Sequence, residues 1–366
     1  MPHQIHHTLR CGAARAAAQW SLASVLAGAA GLAAAQGSSV TLYGRIVSGI
    51  DYMNRVDEGP GRSASHLRQA GQWGATWWGL RGSEDLGGGL SAVFHLESQF
   101  SADDGMVGDS FFNRYAVVGL RSQGYGTLLL GRAMGIPDGE VWALDPMGLQ
   151  AMGAGTLQGN RTWGSRPNAI SYQSPAWGGL SFRTQLGLNG EAGRSRAGRQ
   201  AAAGVGYEQG PLVLKAFYEE IRDGNGAFSS LYTASRLYTV GATYRMGGLK
   251  LFTGYSQIRS GLLTVADADN PAGARRQQTY WMGANYQATP ALVLVGGAYR
   301  ANRSGGGASL VSLGANYHLS RRTLLYGTVG AVSNGGEAAF SVEANSARPA
   351  PGSGQQGVYT GIVHSF

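Results

Sequence analysis

From Leu90 to Phe100 the chain alternates with a period of two. Leu90, Ala92, Phe94, Leu96, Ser98 and Phe100 share one parity, and Ser91, His95, Glu97 and Gln99 fall on the other. A strand imposes that period on its two faces, so one face is apolar and the other wet. Upstream lies a second alternating run from Trp78, and between the two sits Gly82-Ser83-Glu84-Asp85-Leu86-Gly87-Gly88-Gly89. Three consecutive glycines supply the positive φ of a sharp reversal, and residues 78–100 read as a hairpin. The pattern recurs at Ser39–Met53, where Val40, Leu42, Ile46 and Ile50 oppose Thr41, Tyr43, Arg45 and Asp51. Sixteen such arms can be counted, the first at 40–52, the second at 73–83 and the last at 357–366.

The connections alternate as well. Those after even-numbered arms are brief, such as Gln209-Gly210-Pro211 and Met246-Gly247-Gly248, whereas those after odd-numbered arms run long, such as 259–277 and 333–356. The polar stretch 54–72 reads as the first external loop. Short turns at one end, long loops at the other and an even strand count describe an all-β, antiparallel transmembrane barrel of 16 strands. In the later arms the outward parity carries Tyr238, Val240, Ala242 and Tyr244, with tyrosines suited to the headgroup level. The opposite parity carries Lys215, Glu219, Arg245, Lys250, Asn285 and Gln287, which would be costly in a sandwich core but suits a wet lumen. About sixteen strands enclose an aqueous channel rather than a filled interior.

Composition changes the picture in two ways. With 60 glycines, 17 tyrosines and 14% charged residues, a helical bundle is excluded. An apolar run from Trp20 to Ala35 follows Arg10 and Arg15 and ends in three alanines, which reads as a signal peptide over 1–35 with cleavage before Gln36. The run is shorter than the roughly 20 residues of a spanning helix. Losing it removes Cys11, the single cysteine, and lowers the formal charge from +8 to +6. Residues 36–366 then form one barrel without disulfides.

Candidate chemistry beyond a channel is thin. His3, His6 and His7 leave with the leader, and the mature histidines His66, His95, His318 and His364 are dispersed, so no enzyme, metal site or cofactor is expected. The letters of Gly352-Ser353-Gly354-Gln355-Gln356-Gly357 match a dinucleotide fingerprint but lead into the terminal strand and not into a helix. Arginines are spread along the chain and not gathered into a patch, which argues against nucleic acid.

The wording WGLRGSEDLGGGLSAVFHLES, together with SSVTLYG, FNRYAVVGL, YGTLLLGR, NAISYQSPAWGGLSF and GVYTGIVHSF, resembles the trimeric outer-membrane porins of the neisserial and β-proteobacterial type along essentially the whole mature chain. The resemblance implies a homotrimer in the outer membrane, among its lipids and lipopolysaccharide, that passes small hydrophilic solutes and ions passively. It implies that the third loop, 134–167, folds into the lumen as a constriction whose acids are Asp138, Glu140 and Asp145. Facing them, strand parity and family position assign a basic wall of Arg45, Arg81 and Arg114, with Arg183, Lys215 and Lys250 on lumen parity elsewhere and Glu97 also lining the pore. Where relatives commonly read SRWG, this chain reads Thr76-Trp77-Trp78-Gly79, so Trp77 replaces a wall arginine. A channel selective for a particular organic solute, with Trp77 in an aromatic track, is the alternative. Arg132 shares the parity of Leu128 and Leu130 and is expected to face a neighbouring subunit, opposite Asp103, Asp104 or Asp109, or else to snorkel to the interface. Phe366 ends the terminal strand, the feature that the barrel assembly machinery reads in the family. On lumen parity seven basic residues stand against three acids, or against six with the loop acids added, which implies a modest preference for anions.

Overall fold

The computed structural model describes residues 38–366 apart from 109, 160 and 191. The leader assigned to 1–35, its Cys11, and Asp109 lie outside the described residues. Among the described residues the strands are β1 (Ser39–Asp57), β2 (Ser63–Gln69), β3 (Thr76–Gly87), β4 (Leu90–Phe100), β5 (Tyr115–Ser122), β6 (Gly126–Met134), β7 (Ser165–Gln173), β8 (Leu180–Gly187), β9 (Gln200–Gln209), β10 (Leu212–Ile221), β11 (Arg236–Met246), β12 (Leu249–Arg259), β13 (Arg276–Gln287), β14 (Leu292–Arg303), β15 (Ala308–His318), β16 (Thr323–Asn334) and β17 (Gln355–Ser365). Apart from β2 and β3, consecutive strands pair antiparallel, and β1 pairs with β17 from Arg45↔Ser365 to Met53↔Gly357. Reciprocal bonds between Gly44 and Phe366 extend that seam, the Gly44 N–H reaching the Phe366 carbonyl at 3.2 Å and the Phe366 N–H returning at 3.0 Å. A closed ladder leaves no backbone group unpaired toward lipid, the condition for crossing a membrane with strands.

Seventeen strands make sixteen staves, because β2 and β3 share one position in the wall. The periplasmic half of β1 pairs with β3, from Ser39↔Ser83 to Arg45↔Trp77, and its external half pairs with β2, from Ile50↔Gln69 to Asp57↔Ser63. This corrects the reading of 54–72 as a loop: only 58–62 turns, and 70–75 form the break between the two half-staves. The reason is legible in Ser63–Gln69, whose outward residues are Ser63, Ser65, Leu67 and Gln69, so a wall segment without an apolar face gives no alternation to detect.

The lumen is also less wet than strand parity implies. Residues 135–164 fold inward as helix α1 (Ile136–Val141) and the 3₁₀ turns Trp142–Leu144 and Ala154–Gln158. The external connection 335–354 folds in too, which the sequence did not announce. Leu144, Met147, Met152 and Leu157 from the first insertion, with Phe340 and Val342 from the second, pack on Leu237, Ile258, Trp281, Tyr299, Leu310 and Tyr359 of the wall. The core of this protein therefore lies inside the barrel, along β11 to β17. Glycines let the loop lie directly on the wall: a Cβ at Gly241 would come within 2.8 Å of Leu144, and one at Gly330 within 2.6 Å of the Met152 sulfur.

Candidate functional site

The inserted loop is fastened stave by stave. Trp281 Nε1 donates to the Leu144 carbonyl at 2.8 Å, Gln277 Nε2 to that of Leu157 at 2.6 Å, and Ser312 Oγ to that of Met152 at 2.7 Å. Asp145 is fully sequestered, accepting from the Tyr299 hydroxyl at 2.6 Å and from the N–H groups of Met147 and Ala154 at 2.9 and 2.6 Å. Burial pushes its carboxyl up to about 6, against the pull of those donors. Asp138 accepts from Trp142 Nε1 at 2.9 Å and the Gly164 N–H at 2.6 Å, and burial raises it as well. Glu140 binds Lys215 at 2.8 Å and is also paired with Arg183. The far end of the loop is clamped by Glu219, which accepts from Arg161 and, in bidentate fashion, from Arg166 at 2.9 and 3.0 Å. The three loop acids thus bind the loop itself or hold it to the wall.

The open side of the waist is a cavity of about 840 Å³ whose lining includes Arg45, Arg68, Arg114, Arg132, Trp77 and Asp138. Arg45 is 9% exposed and donates through Nε to the Ala75 carbonyl at 2.8 Å, within the break between β2 and β3. Its guanidinium carbon lies 5.4 Å from the Trp73 ring and 5.7 Å from Trp77, while that of Arg114 lies 5.8 Å from Trp77 on the same ring. Trp77 thus gathers two arginines by cation–π attraction. Arg114 is ion-paired with Glu97, which also accepts from the Tyr43 hydroxyl at 3.0 Å and sits 3.5 Å from His95. Trp142 and Trp163 of the loop stack with centroids 5.7 Å apart and line the same cavity.

A family model described as Gram-negative porin matches residues 22–337. The chain is a Gram-negative porin. Outer membrane porin protein 32 of Delftia acidovorans is 29% identical over 364 residues, covering 94% of this chain and 99% of the relative. An outer membrane porin of Bordetella pertussis is 33% identical over 273 residues, 65% of this chain and 69% of the relative. Among solved structures, the anion-selective porin from Comamonas acidovorans superposes with a TM-score of 0.76 at 24% identity, covering 90% of this chain and all of that one. The trimer form of OmpT of Vibrio cholerae shares the fold with a TM-score of 0.64 at 14% identity, covering 90% of this chain and 100% of that one. This porin is an outer-membrane channel for passive passage of small solutes, and not an enzyme.

Within the porin, the residues assigned from sequence separate into groups. Arg45, Arg114, Trp77 and Glu97 come together at the waist. Arg81 does not join them: it is exposed, pairs in register with Thr41 below the waist and lies 4.9 Å from the Tyr43 ring. Lys250 lies 4.7 Å over Phe252 near the periplasmic end, and Arg183 and Lys215 are held by Glu140. Arg132 departs from the parity argument. The β6–β7 register slips between Gly131 and Ala133, Gly131 taking a φ of +126°, and Arg132 lines the waist cavity with Nη1 at 3.0 Å from Ser165 Oγ. A bulge re-aims a side chain in this way, and no periodicity test sees one residue of slip.

Sequence reasoning missed a second polar centre. Arg68 reaches Asp51 at 2.8 Å and Glu343 at 3.6 Å, and Gln72 donates to Glu343 at 2.9 Å. Burial beside Asp51 pushes the Glu343 carboxyl up to about 8. These groups come from β1, β2, the break and the inserted 335–354 segment, far apart in sequence and without a shared motif.

Proposed function

We propose that this porin works as a homotrimer, embedded among outer-membrane lipids and lipopolysaccharide, whose general diffusion pore prefers anions. The observation that carries the preference is the asymmetry of the waist: among the described residues Arg45, Arg68, Arg114 and Arg132 line the cavity with a single acid, Asp138, whose oxygens are taken by Trp142 and Gly164, whereas Glu140 and Asp145 are bound into the loop's anchorage away from it. A transverse field of this sign attracts anions into the narrow zone. The signal peptide over 1–35 and Phe366 as the signal to the assembly machinery belong to the same reading, whereas Arg132, which lines the cavity, is counted with the pore and not with a subunit contact. In a bilayer under a potassium chloride gradient the reversal potential should fall on the chloride side. Arg45→Glu with Arg114→Glu should move it toward potassium; a wild-type pore that prefers potassium would overturn the reading.

A second reading, selectivity for an organic anion, is favoured by Trp77, Trp142 and Trp163 lining the same cavity as the arginines. Liposome swelling with carboxylates of graded size separates the two, since saturation by one aromatic carboxylate supports the selective channel and rates that follow size alone support general diffusion.

A further inference from the structure

On the outer wall, at the external ends of three consecutive staves, Arg236, Arg259 and Arg276 are direct cross-strand partners. The register fixes their direction. One residue inward, Leu237, Ile258 and Gln277 form the buried lumen row, and two residues inward Tyr238, Gln257 and Gln278 form the next outward row. All three arginines therefore point outward, Arg236 half-buried with its guanidinium carbon 4.0 Å over the Phe228 ring, and none forms an ion pair among the described residues. Like charges set directly opposite one another destabilise a sheet, so this row is unfavourable until an anion lies across it. The one acid beside it, Glu220, is opposite Arg236 but already accepts from Arg199 at 3.0 Å, Arg222 at 3.1 Å and Tyr218 at 3.0 Å.

Below the row runs an aromatic layer. Tyr218 and Tyr238 lie 5.1 Å apart, Tyr255 and Tyr280 5.0 Å, and Gln278 donates to the Tyr255 hydroxyl at 2.9 Å. Such rings mark the headgroup level. Deeper still, a trough of about 910 Å³ is lined by Leu214, Val240, Ala242, Met282 and Ala298, where small outward residues leave the wall indented, and Arg300 stands at its external end. Arg300 is oriented by Asn302 and Ser309, each at 2.9 Å. Arg259 and Tyr255, the outermost β12 residue lining the trough, are four residues apart, so about 13 Å of strand separates the charges from the trough.

We propose that this face binds a membrane lipid of the outer leaflet whose headgroup bears phosphates, with the phosphates across Arg236, Arg259 and Arg276 and an acyl chain in the trough. Guanidinium matches phosphate in bidentate geometry, and a span of three staves, roughly 10 Å, accommodates more than one phosphate. A soluble anion would satisfy the arginines but leave the trough without a role. The proposal rests on the outer-membrane position of the porin, and channel conductance reports on that reading separately.

The test titrates the detergent-solubilised porin with bisphosphorylated, hexa-acylated lipid A and reads retained lipid by native mass spectrometry. Arg236→Gln/Arg259→Gln/Arg276→Gln should weaken retention at least tenfold, and Ala242→Trp with Ala298→Trp, which fills the trough, should do the same. Arg259→Gln alone, the mildest change, should weaken it about threefold should the triple variant fold poorly. Conductance should be unchanged in each, since the row lies outside the pore. Wild-type retention in these variants, displacement of the lipid by equimolar inorganic phosphate, or cross-linking of Arg259→Cys to a second copy would each overturn the proposal, the last by assigning the face to a subunit contact.

Discussion

Glu219→Gln is the sharpest probe of what holds the constriction in place. Glu219 is 1% exposed, and the guanidinium groups it binds, Arg161 and Arg166, are 2% and 5% exposed. Glutamine keeps the shape but removes the one carboxylate that, among the described residues, pairs with these two buried cations. Breaking a buried ion pair by neutralising one partner costs about 3–5 kcal/mol, because the remaining charge stays desolvated. At 1.4 kcal/mol per tenfold, the ratio of clamped to released loop should fall by roughly two to three and a half orders of magnitude. Arg161 keeps Ser235, through Oγ at 2.8 Å and the carbonyl at 2.9 Å, and the Leu144 to Leu157 fastenings are remote, so release should be confined to the end of the loop near 159–166. Single-channel recording should then show larger mean conductance and strong open-channel noise, with the barrel's own unfolding temperature little changed. Removing one stranded cation, in Glu219→Gln/Arg161→Met, should recover part of the quiet behaviour, since the two changes couple through one contact. A quiet Glu219→Gln channel of wild-type conductance would refute the clamp.

The second insertion should respond to pH. With its carboxyl raised from the usual 4.5 to about 8, Glu343 keeps its proton in the docked segment and loses it in a released one, so docking is strongest below about pH 4.5 and weakens as pH rises toward 8. The loss is on the order of a few kcal/mol; open-channel noise should grow over that window in the wild type and stay flat in Glu343→Gln, and equal profiles would remove Glu343 as the cause. Arg132→Ala removes one of the cations bordering the waist cavity and should move the reversal potential in a potassium chloride gradient toward potassium. An unchanged reversal potential would take Arg132 out of the selectivity argument.

The barrel was legible wherever a strand has lipid on one side and water on the other. Tyr238, Val240, Ala242 and Tyr244 show the period because lipid demands an apolar outer row, and their partners on β12 lie in the register that the alternation implies. Ser63–Gln69 was illegible because β2 lies where the outer row includes Ser63, Ser65 and Gln69. The inserted segments were illegible for a different reason. Met152 on Gly330, and Val342 on Gly357, are contacts between residues more than a hundred positions apart or between a loop and a strand, and local periodicity contains neither. Of the waist, the lumen parity of Arg45 and Glu97 could be read from their strands, whereas Arg68, Gln72 and Glu343 meet only once the wall breaks at 70–75.

That difference decides how charge should be counted in a pore. Parity gave seven bases against six acids, close to balance, because it weights every lumen residue alike. An ion at the waist instead meets the charges that face it, and burial sorts these by sign. Asp138, Glu140, Asp145 and Glu219 are all below 7% exposed, each with its oxygens occupied by donors of the loop or wall. An arginine has five donors, so Arg114 can bind Glu97 and Gln99 and still border the cavity, and Arg45 and Arg132 border it with no acidic partner among the described residues. Acids spent on loop and wall donors, Asp138 in the cavity lining included, and incompletely neutralised arginines leave a positive waist even in a nearly balanced lumen. Screening at about 8 Å in physiological salt confines that field to the narrow zone, so the anion preference should rise as salt is diluted, and rise more steeply than a parity count near balance allows.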